Sequence, residues 1–151
     1  MRRKDREITD FMQIETIIRE ANFCRLGMSD TSHQPYVVPM CFGYSNGTVY
    51  FHSASEGRKI AILQKNPQVC IEFDTNCHIK TGDIACRWGF RYQCVIGFGK
   101  AVFIESLQEK QIALDIIMKQ YSDGAFTYSD DALSRMVTFK VKLTEISGKT
   151  A

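Results

Sequence analysis

The chain has 151 residues, of which 44% are hydrophobic and 24% charged, as expected for a globular protein with one core. Nineteen basic and 17 acidic residues leave a net charge of +2, which is too small to indicate a nucleic-acid-binding protein. No window approaches the ~20 apolar residues of a membrane span, and the N-terminus lacks the apolar segment of a signal peptide. We expect one cytoplasmic domain over residues 1–151, with neither a membrane nor a nucleic-acid partner.

The N-terminal part of the chain predicts a helix followed by a strand. Residues 1–9 are charged and predicted to be extended. A capping box begins at Asp10, and apolar residues at helical spacing predict a helix over 11–21. Residues 23–28 form the first predicted strand, and a polar, turn-rich segment follows it.

The next stretch predicts a hairpin. Two strands, over 36–44 and 48–53, flank Asn46-Gly47, which is the strongest type I′ turn signal in the chain because both positions need φ > 0. Pro39 lies inside the first of these strands and cannot donate a hydrogen bond to a ladder. It therefore indicates a sheet edge, a bulge or a place where something other than a strand lies alongside.

The remaining elements predict a mainly β fold with flanking helices. In order they are a short helix at 58–65, a strand at 68–74, an irregular segment at 75–89, a strand at 90–104, a helix to about 121, a loop at 122–129, a helical turn at 130–134, a strand at 137–146 and a tail at 148–151. Hairpin connections favour an antiparallel sheet, and six short strands with glycine bends favour a small barrel.

The cysteines do not indicate a metal site. No two of the six have C-x-x-C spacing, and structural zinc sites usually contain at least one such tight ligand pair. In a cytosolic protein they are expected to be thiols. They are Cys24, Cys41, Cys70, Cys77, Cys86 and Cys94.

The corner at Gly57-Arg58-Lys59 carries the strongest chemical signal. Backbone N–H groups at a helix N-terminus lack intrahelical partners, and the helix dipole favours an anion there. Arg58 adds a bidentate fork, Lys59 a mobile charge and Ser53 a hydroxyl, a set that suits a phosphate monoester. The alternative is a surface helix that happens to begin with two basic residues, an arrangement that its dipole disfavours.

His52 precedes this corner at the end of a predicted strand. It is either a structural hydrogen-bonding residue or, beside a bound cofactor, a proton donor near neutral pH. Gly97-Phe98-Gly99 lacks the third glycine of a dinucleotide fingerprint. Because no side-chain catalytic motif is present, we expect a cofactor to carry the chemistry.

Taken together, these motifs resemble the nitroimidazole-resistance (Nim-type) branch of the pyridoxamine 5′-phosphate oxidase-like flavoproteins. The resemblance runs from residue 1 to about 121, with the motifs in the same order and spacing. The matching segments are MRRKDREI at the N-terminus, Cys24-Arg25-Leu26-Gly27, Pro35-Tyr36-Val37-Val38-Pro39, Phe42-Gly43-Tyr44, Tyr50-Phe51-His52-Ser53-Ala54, Glu56-Gly57-Arg58-Lys59 and Val95-Ile96-Gly97-Phe98-Gly99.

The resemblance implies a six-stranded antiparallel FMN-binding split β-barrel that forms a homodimer, with two flavin sites at the subunit interface. By matched position, Ser53, Arg58 and Lys59 would hold the FMN phosphate, and His52 would lie near the ring. The strand along the ring would be Val37, Val38, Pro39 and Met40. The residues approaching from the partner subunit would be Tyr92, Cys94 and Gly97.

The implied activity is a flavin-dependent reduction of nitroaromatic compounds such as 5-nitroimidazoles. A nicotinamide or other donor would reduce FMN, the flavin would pass a hydride to the nitro group, and His52 would be the catalytic proton donor. FAD remains an alternative cofactor. A non-catalytic flavin-binding or sensing module and an oxidase of pyridoxamine phosphate are the alternative functions.

Overall fold

A computed structural model describes residues 3–151. Within them the chain forms four α-helices, namely α1 Phe11–Glu20, α2 Arg58–Lys65, α3 Leu107–Lys119 and α4 Asp130–Arg135. It also forms eight strands, namely β1 Glu7–Ile8, β2 Cys24–Ser29, β3 Pro35–Met40, β4 Gly43–Ser45, β5 Thr48–Ala54, β6 Gln68–Lys80, β7 Gly89–Ile104 and β8 Met136–Thr150. Two short 3₁₀ turns lie at Lys4–Arg6 and Ala85–Arg87.

The strands form one antiparallel sheet. Its order is β3-β2-β6-β7-β8-β5-β4, with β1 paired to β8, and every pairing is antiparallel. The predicted mainly β, antiparallel fold with flanking helices is therefore confirmed. The hydrogen-bonded ladder does not close into a ring, because β3 and β4 lie at its two ends.

The predicted count of six strands is corrected to eight. One additional strand is the two-residue β1, and the other arises because the predicted strand 36–44 breaks into β3 and β4. At the break, the backbone N–H of Phe42 donates to the Tyr121 hydroxyl at 2.9 Å instead of to a neighbouring strand. That aromatic partner lies 79 residues away in sequence, so local pattern does not reveal it.

The predicted irregular segment and tail are also corrected. β6 continues to Lys80, and the ladder resumes after a register shift at Thr75/His78. The segment predicted as a tail is the end of β8, where Gly148 pairs with Val95. At the N-terminus, residues 1 and 2 of the predicted extended segment lie outside the described residues. The rest of that segment contains the first 3₁₀ turn and β1.

The core lies between α1 and the inner face of the sheet. Helix α1 begins at Asp10, whose carboxylate accepts a hydrogen bond from the Met12 N–H at 2.9 Å. It buries Ile14, Ile17 and Ile18, each stabilising the fold by about 1.5–3 kcal/mol through removal of apolar surface from water. The largest buried side chains of the core include Phe42, Phe51, Phe73 and Phe139.

Helix α3 packs against β4 and β5. Gly43 makes this approach possible, because a Cβ there would lie 2.6 Å from the backbone of Ile116 and Ile117. A small second cluster forms here between Leu114 and Ile117 of α3 and Leu133 of α4. None of the helices in residues 3–151 is both long and apolar enough to cross a bilayer.

Candidate functional site

The N-terminus of α2 presents an open corner after β5. Gly57 is the N-cap at φ 128°, and no side chain caps the helix there. The first turn contains Arg58 and Lys59 and no acidic residue. Unpaired N–H groups and two cations therefore meet at one helix end, an arrangement that suits an anion.

Lys59 is the most unusual cation of this corner. Its side chain is partly buried, and its Nζ lies 3.1 Å from the sulfur of Met40, a weak acceptor for an ammonium group. Burial lowers the pKa of Lys59. Among residues 3–151 no carboxylate lies within ion-pair distance of this ammonium, so its charge is poorly compensated within the chain.

Arg58 lies beside Lys59 and is held differently. Its guanidinium carbon is 4.7 Å from the centre of the Tyr36 ring, in a cation–π contact. None of the ion pairs in the described part of the chain includes Arg58, so its hydrogen-bonding fork is available to a ligand. Tyr36 orients this fork, a role that the sequence did not predict.

His52 and Ser53 end β5 on opposite faces of the sheet. Ser53 follows the inward alternation of Val49 and Phe51, which are fully buried. The His52 side chain reaches solvent. Its surroundings still bury it enough to lower its pKa, and the nearby charge of Lys59 lowers the pKa further. His52 is therefore biased towards the neutral imidazole.

The predicted ring-binding residues lie on β3, at one end of the sheet order. Their strand pairs only with β2, with Pro39 opposite Arg25, so its other edge has no strand partner in the described chain. Val38 and Met40 turn towards the core, whereas the Val37 side chain is 59% exposed. Such an edge leaves backbone donors and acceptors free for a planar ligand.

The three predicted residues on β7 lie apart from this group. Two strands, β2 and β6, separate β7 from β3, which corresponds to about 14 Å at the usual strand spacing. The Cys94 thiol lies 3.4 Å from Glu72 Oε1, and burial followed by the Glu72 charge raises its pKa to about 12. Tyr92 contacts Lys149 through its ring. Within residues 3–151 the side-chain contacts of Tyr92 and Cys94 are with Lys149 and Glu72, and that of Lys59 is with Met40.

Gly97 has a packing role within the chain. A Cβ there would lie 2.8 Å from Leu143 Cδ2, so the absent side chain makes room for β8. At Gly99 a Cβ would meet the Lys142 carbonyl oxygen at 2.4 Å, beside the β7–β8 bulge. Close approach by the neighbouring strand β8 therefore accounts for both glycines.

The corner is open to solvent, because Glu56, Gly57 and Arg58 are all exposed. The depression of about 210 Å³ beside Arg58 is lined by other residues of α2 and by the β2–β3 loop, and by neither Lys59 nor Ser53. No cluster of His, Cys, Asp or Glu within residues 3–151 has the arrangement of a metal site. The geometry thus indicates an anion site at an open surface.

Comparison with known proteins connects this geometry to a family. The family model described as pyridoxamine 5′-phosphate oxidase matches residues 11–150. A proposed 5-nitroimidazole antibiotic resistance protein from Bacteroides thetaiotaomicron is 42% identical. Its solved structure superposes with a TM-score of 0.87 over 95% of this chain and 86% of that chain. The comparison with curated proteins gives no match.

Two more distant structures share the fold. A flavocytochrome from Azotobacter vinelandii has a TM-score of 0.86 at 17% identity, covering 100% of this chain and 72% of that chain. The FAD- and heme-binding protein from Mycobacterium smegmatis has a TM-score of 0.86 at 13% identity, covering 97% and 73%. Their fold therefore persists where most of the sequence has changed.

Proposed function

Because this chain belongs to the pyridoxamine 5′-phosphate oxidase family, we propose that it is a flavin-dependent reductase of nitroaromatic compounds such as 5-nitroimidazoles, with FMN as its cofactor. The 42% identical relative is itself proposed to act in 5-nitroimidazole resistance. The observation that carries the proposal is the poorly compensated Lys59 ammonium at the uncapped start of α2.

The residues at this corner fit a flavin phosphate. Lys59 and Arg58 would supply its countercharges, the free N–H groups of α2 its hydrogen bonds, and Ser53 a hydroxyl. FMN ends in a phosphate monoester, which these groups match directly. In FAD this phosphate is part of a pyrophosphate that carries an additional nucleotide, so it offers fewer free oxygens and less charge to these groups.

A bound flavin would supply two-electron transfer between a nicotinamide donor and the nitro group. The chain would contribute binding and orientation: the free edge of β3, including Val37, Val38, Pro39 and Met40, would lie along the ring. His52 would be the group that holds or delivers a proton beside it. Its lowered pKa favours the neutral form, so it would take up a proton before giving one.

We propose that a homodimer completes the site. Tyr92, Cys94 and Gly97 lie on β7, which two strands separate from β3 in the sheet, and they would come from the second copy. Large apolar side chains near the tip of the β6–β7 hairpin would also be buried by a second copy. Each of these side chains, Ile79, Ile84, Trp88 and Phe90, is at least 50% exposed. Patches of large apolar side chains usually mark a contact surface.

The test begins with purified full-length protein. The proposal predicts a yellow protein that releases FMN on denaturation, is reduced by a nicotinamide donor without oxygen, and is reoxidised by a 5-nitroimidazole. A colourless protein that FMN does not reconstitute would contradict the cofactor. Size-exclusion chromatography with light scattering measures the dimer, and a flavin-loaded monomer would contradict the shared site.

The same measurements separate the alternatives. A flavin-binding or sensing module would be yellow but would not turn over with donor and nitro compound. An oxidase would produce pyridoxal phosphate from pyridoxamine phosphate, with oxygen as acceptor. Both alternatives need no catalytic acid–base pair, and within residues 3–151 the His52 side chain has no hydrogen-bonded acid or base beside it.

A further inference from the structure

A second cationic surface lies on the sheet away from the α2 corner. Its depression has a volume of about 310 Å³ and lies across β5, β7 and β8. We call it the lysine pocket and define it by its lining residues, which are Thr48, Tyr50, Lys100, Val102, Lys140, Lys142 and Thr144. None of them belongs to the proposed flavin site.

The sheet register forces the lysines of this pocket together. Lys100 and Lys142 are direct partners across β7 and β8, and Lys140 lies two residues before Lys142 on the same face. Like charges directly opposite each other in a sheet are destabilising. No carboxylate of the described chain forms an ion pair with any of the three, so the repulsion is not relieved within the chain.

One of these ammonium groups is held in place. Lys142 Nζ donates to the Asn46 carbonyl oxygen at 2.8 Å, on the turn whose Asn46 and Gly47 both have positive φ. The two remaining cations, Lys100 and Lys140, have no side-chain hydrogen bond recorded within residues 3–151 and are available to a ligand.

An aliphatic and an aromatic side chain also line the lysine pocket. The Val102 side chain is 53% exposed, and Tyr50 lies two residues along the sheet face from Thr48. Tyr50 is itself fixed, because it packs against the Leu114, Ile117 and Leu133 cluster. A rigid aromatic and an exposed aliphatic side chain therefore lie beside three cations.

We infer that the lysine pocket binds a small phosphate ester that carries a planar ring, the chemistry of a mononucleotide. The phosphate would contact Lys100 and Lys140, and the ring would lie against Val102 and Tyr50. A cleft lined by one sign of charge concentrates its counter-ions, and the volume is at the small end of ligand sites. The chain's net charge of only +2 favours such a compact ligand over a long polyanion.

The test is calorimetric titration of the purified full-length protein with AMP, adenosine and inorganic phosphate at low salt. AMP should bind, and both adenosine and phosphate should bind at least ~10-fold more weakly, since each lacks one of the two recognised parts. The AMP affinity should fall as salt rises. Phosphate binding as tightly as AMP, or an oligonucleotide binding more tightly, would overturn the assignment.

Variants locate the site. K100Q together with K140Q should weaken AMP binding by about tenfold or more, and the corresponding arginine pair should retain it. The matched control is K80Q, an exposed lysine of β6 that does not line the pocket. Unchanged AMP affinity in the double glutamine variant would refute the proposal.

AMP binding to the lysine pocket and flavin binding at the α2 corner can be measured separately. Because the lysine pocket shares no residue with the α2 corner, K100Q with K140Q should leave flavin absorbance per protein as in the unaltered chain. A colourless protein whose AMP binding is lost in the variant with K100Q and K140Q would support this site and contradict the flavin proposal. Relief of the lysine repulsion should also leave the melting temperature unchanged or raised, which excludes unfolding as the cause of lost binding.

Discussion

The ammonium of Lys59 lies 3.1 Å from the sulfur of Met40, joining the first turn of α2 to the end of the edge strand β3. This contact joins Lys59, which is predicted to bind the phosphate, to β3, which is predicted to lie along the ring. It leaves a partly buried charge with a thioether as its acceptor, so the cation is held where an anion would compensate it better. The Lys59 ammonium therefore both lowers the stability of the unliganded protein and raises its affinity for an anion.

Replacing Lys59 by Met should separate stability from binding. The flavin affinity should fall by at least ~10-fold, because a charge-assisted contact of about 1.5–3 kcal/mol is lost. The unliganded protein should melt at the same or a higher temperature, since a partly buried charge is removed. Flavin fluorescence titration and thermal unfolding measure the two effects. The control is K65M, an exposed lysine at the end of α2; if K59M binds flavin as well as K65M does, Lys59 is not a ligand.

Acid should destabilise the unliganded protein through His52. Burial and the Lys59 charge hold its pKa below the usual 6.5, so between these two values the unfolded chain binds more protons than the folded chain. The free energy of unfolding therefore rises with pH through this interval. The contribution of His52 is fully present above the usual pKa and is lost as the pH falls towards the lowered pKa of the folded chain.

The variant H52Q should show a smaller loss of melting temperature than the unaltered chain between about pH 7.5 and pH 5.5. The comparison variant is H78Q, an exposed residue of β6, which should retain the His52-dependent loss. Equal acid sensitivity of the unaltered chain and H52Q would show that another group is responsible.

Gly43 should be intolerant of a methyl group. An added Cβ would lie 2.6 Å from the backbone of α3 at Ile116 and Ile117, so the helix would have to move away from β4. We expect Gly43→Ala to lower the free energy of unfolding by about 1–3 kcal/mol, measured by urea denaturation. Gly89→Ala is the matched control, because a Cβ there meets nothing within 4 Å; equal effects would mean that the α3 contact is not tight.

The reactivity of Cys94 should depend on Glu72. Burial and the carboxylate raise the thiol pKa to about 12, which suppresses the nucleophilic thiolate. Glu72→Gln removes the charge and should speed alkylation of Cys94, measured residue by residue by mass spectrometry. Cys86, which is exposed in the second 3₁₀ turn, is the internal reference. A Cys94 rate that does not change relative to Cys86 would show that burial alone suppresses the thiol.

Much of the local structure could be predicted, because its signals lie within a few residues. The N-cap at Asp10, the Asn46-Gly47 turn and α2 over 58–65 all agree with the structure. The cationic corner at Arg58 and Lys59 could be predicted for the same reason, since helix ends and charges are readable from adjacent positions. Resemblance then indicated the family, and the 42% identical structure supports it.

Other features depended on pairings between distant residues. The break between β3 and β4 requires Tyr121, and the extension of β8 to Thr150 requires β7 and β1. Alternation shows which face of a strand is buried but does not show which strand lies beside it, because pairing free energy comes from partners far along the chain. The sequence by itself thus determined the locally encoded elements, such as α1, α2 and the Asn46-Gly47 turn, and the cationic corner. Only the tertiary structure placed Met40 beneath Lys59, Tyr36 against Arg58 and three lysines on one face, since each contact joins elements that sequence separates.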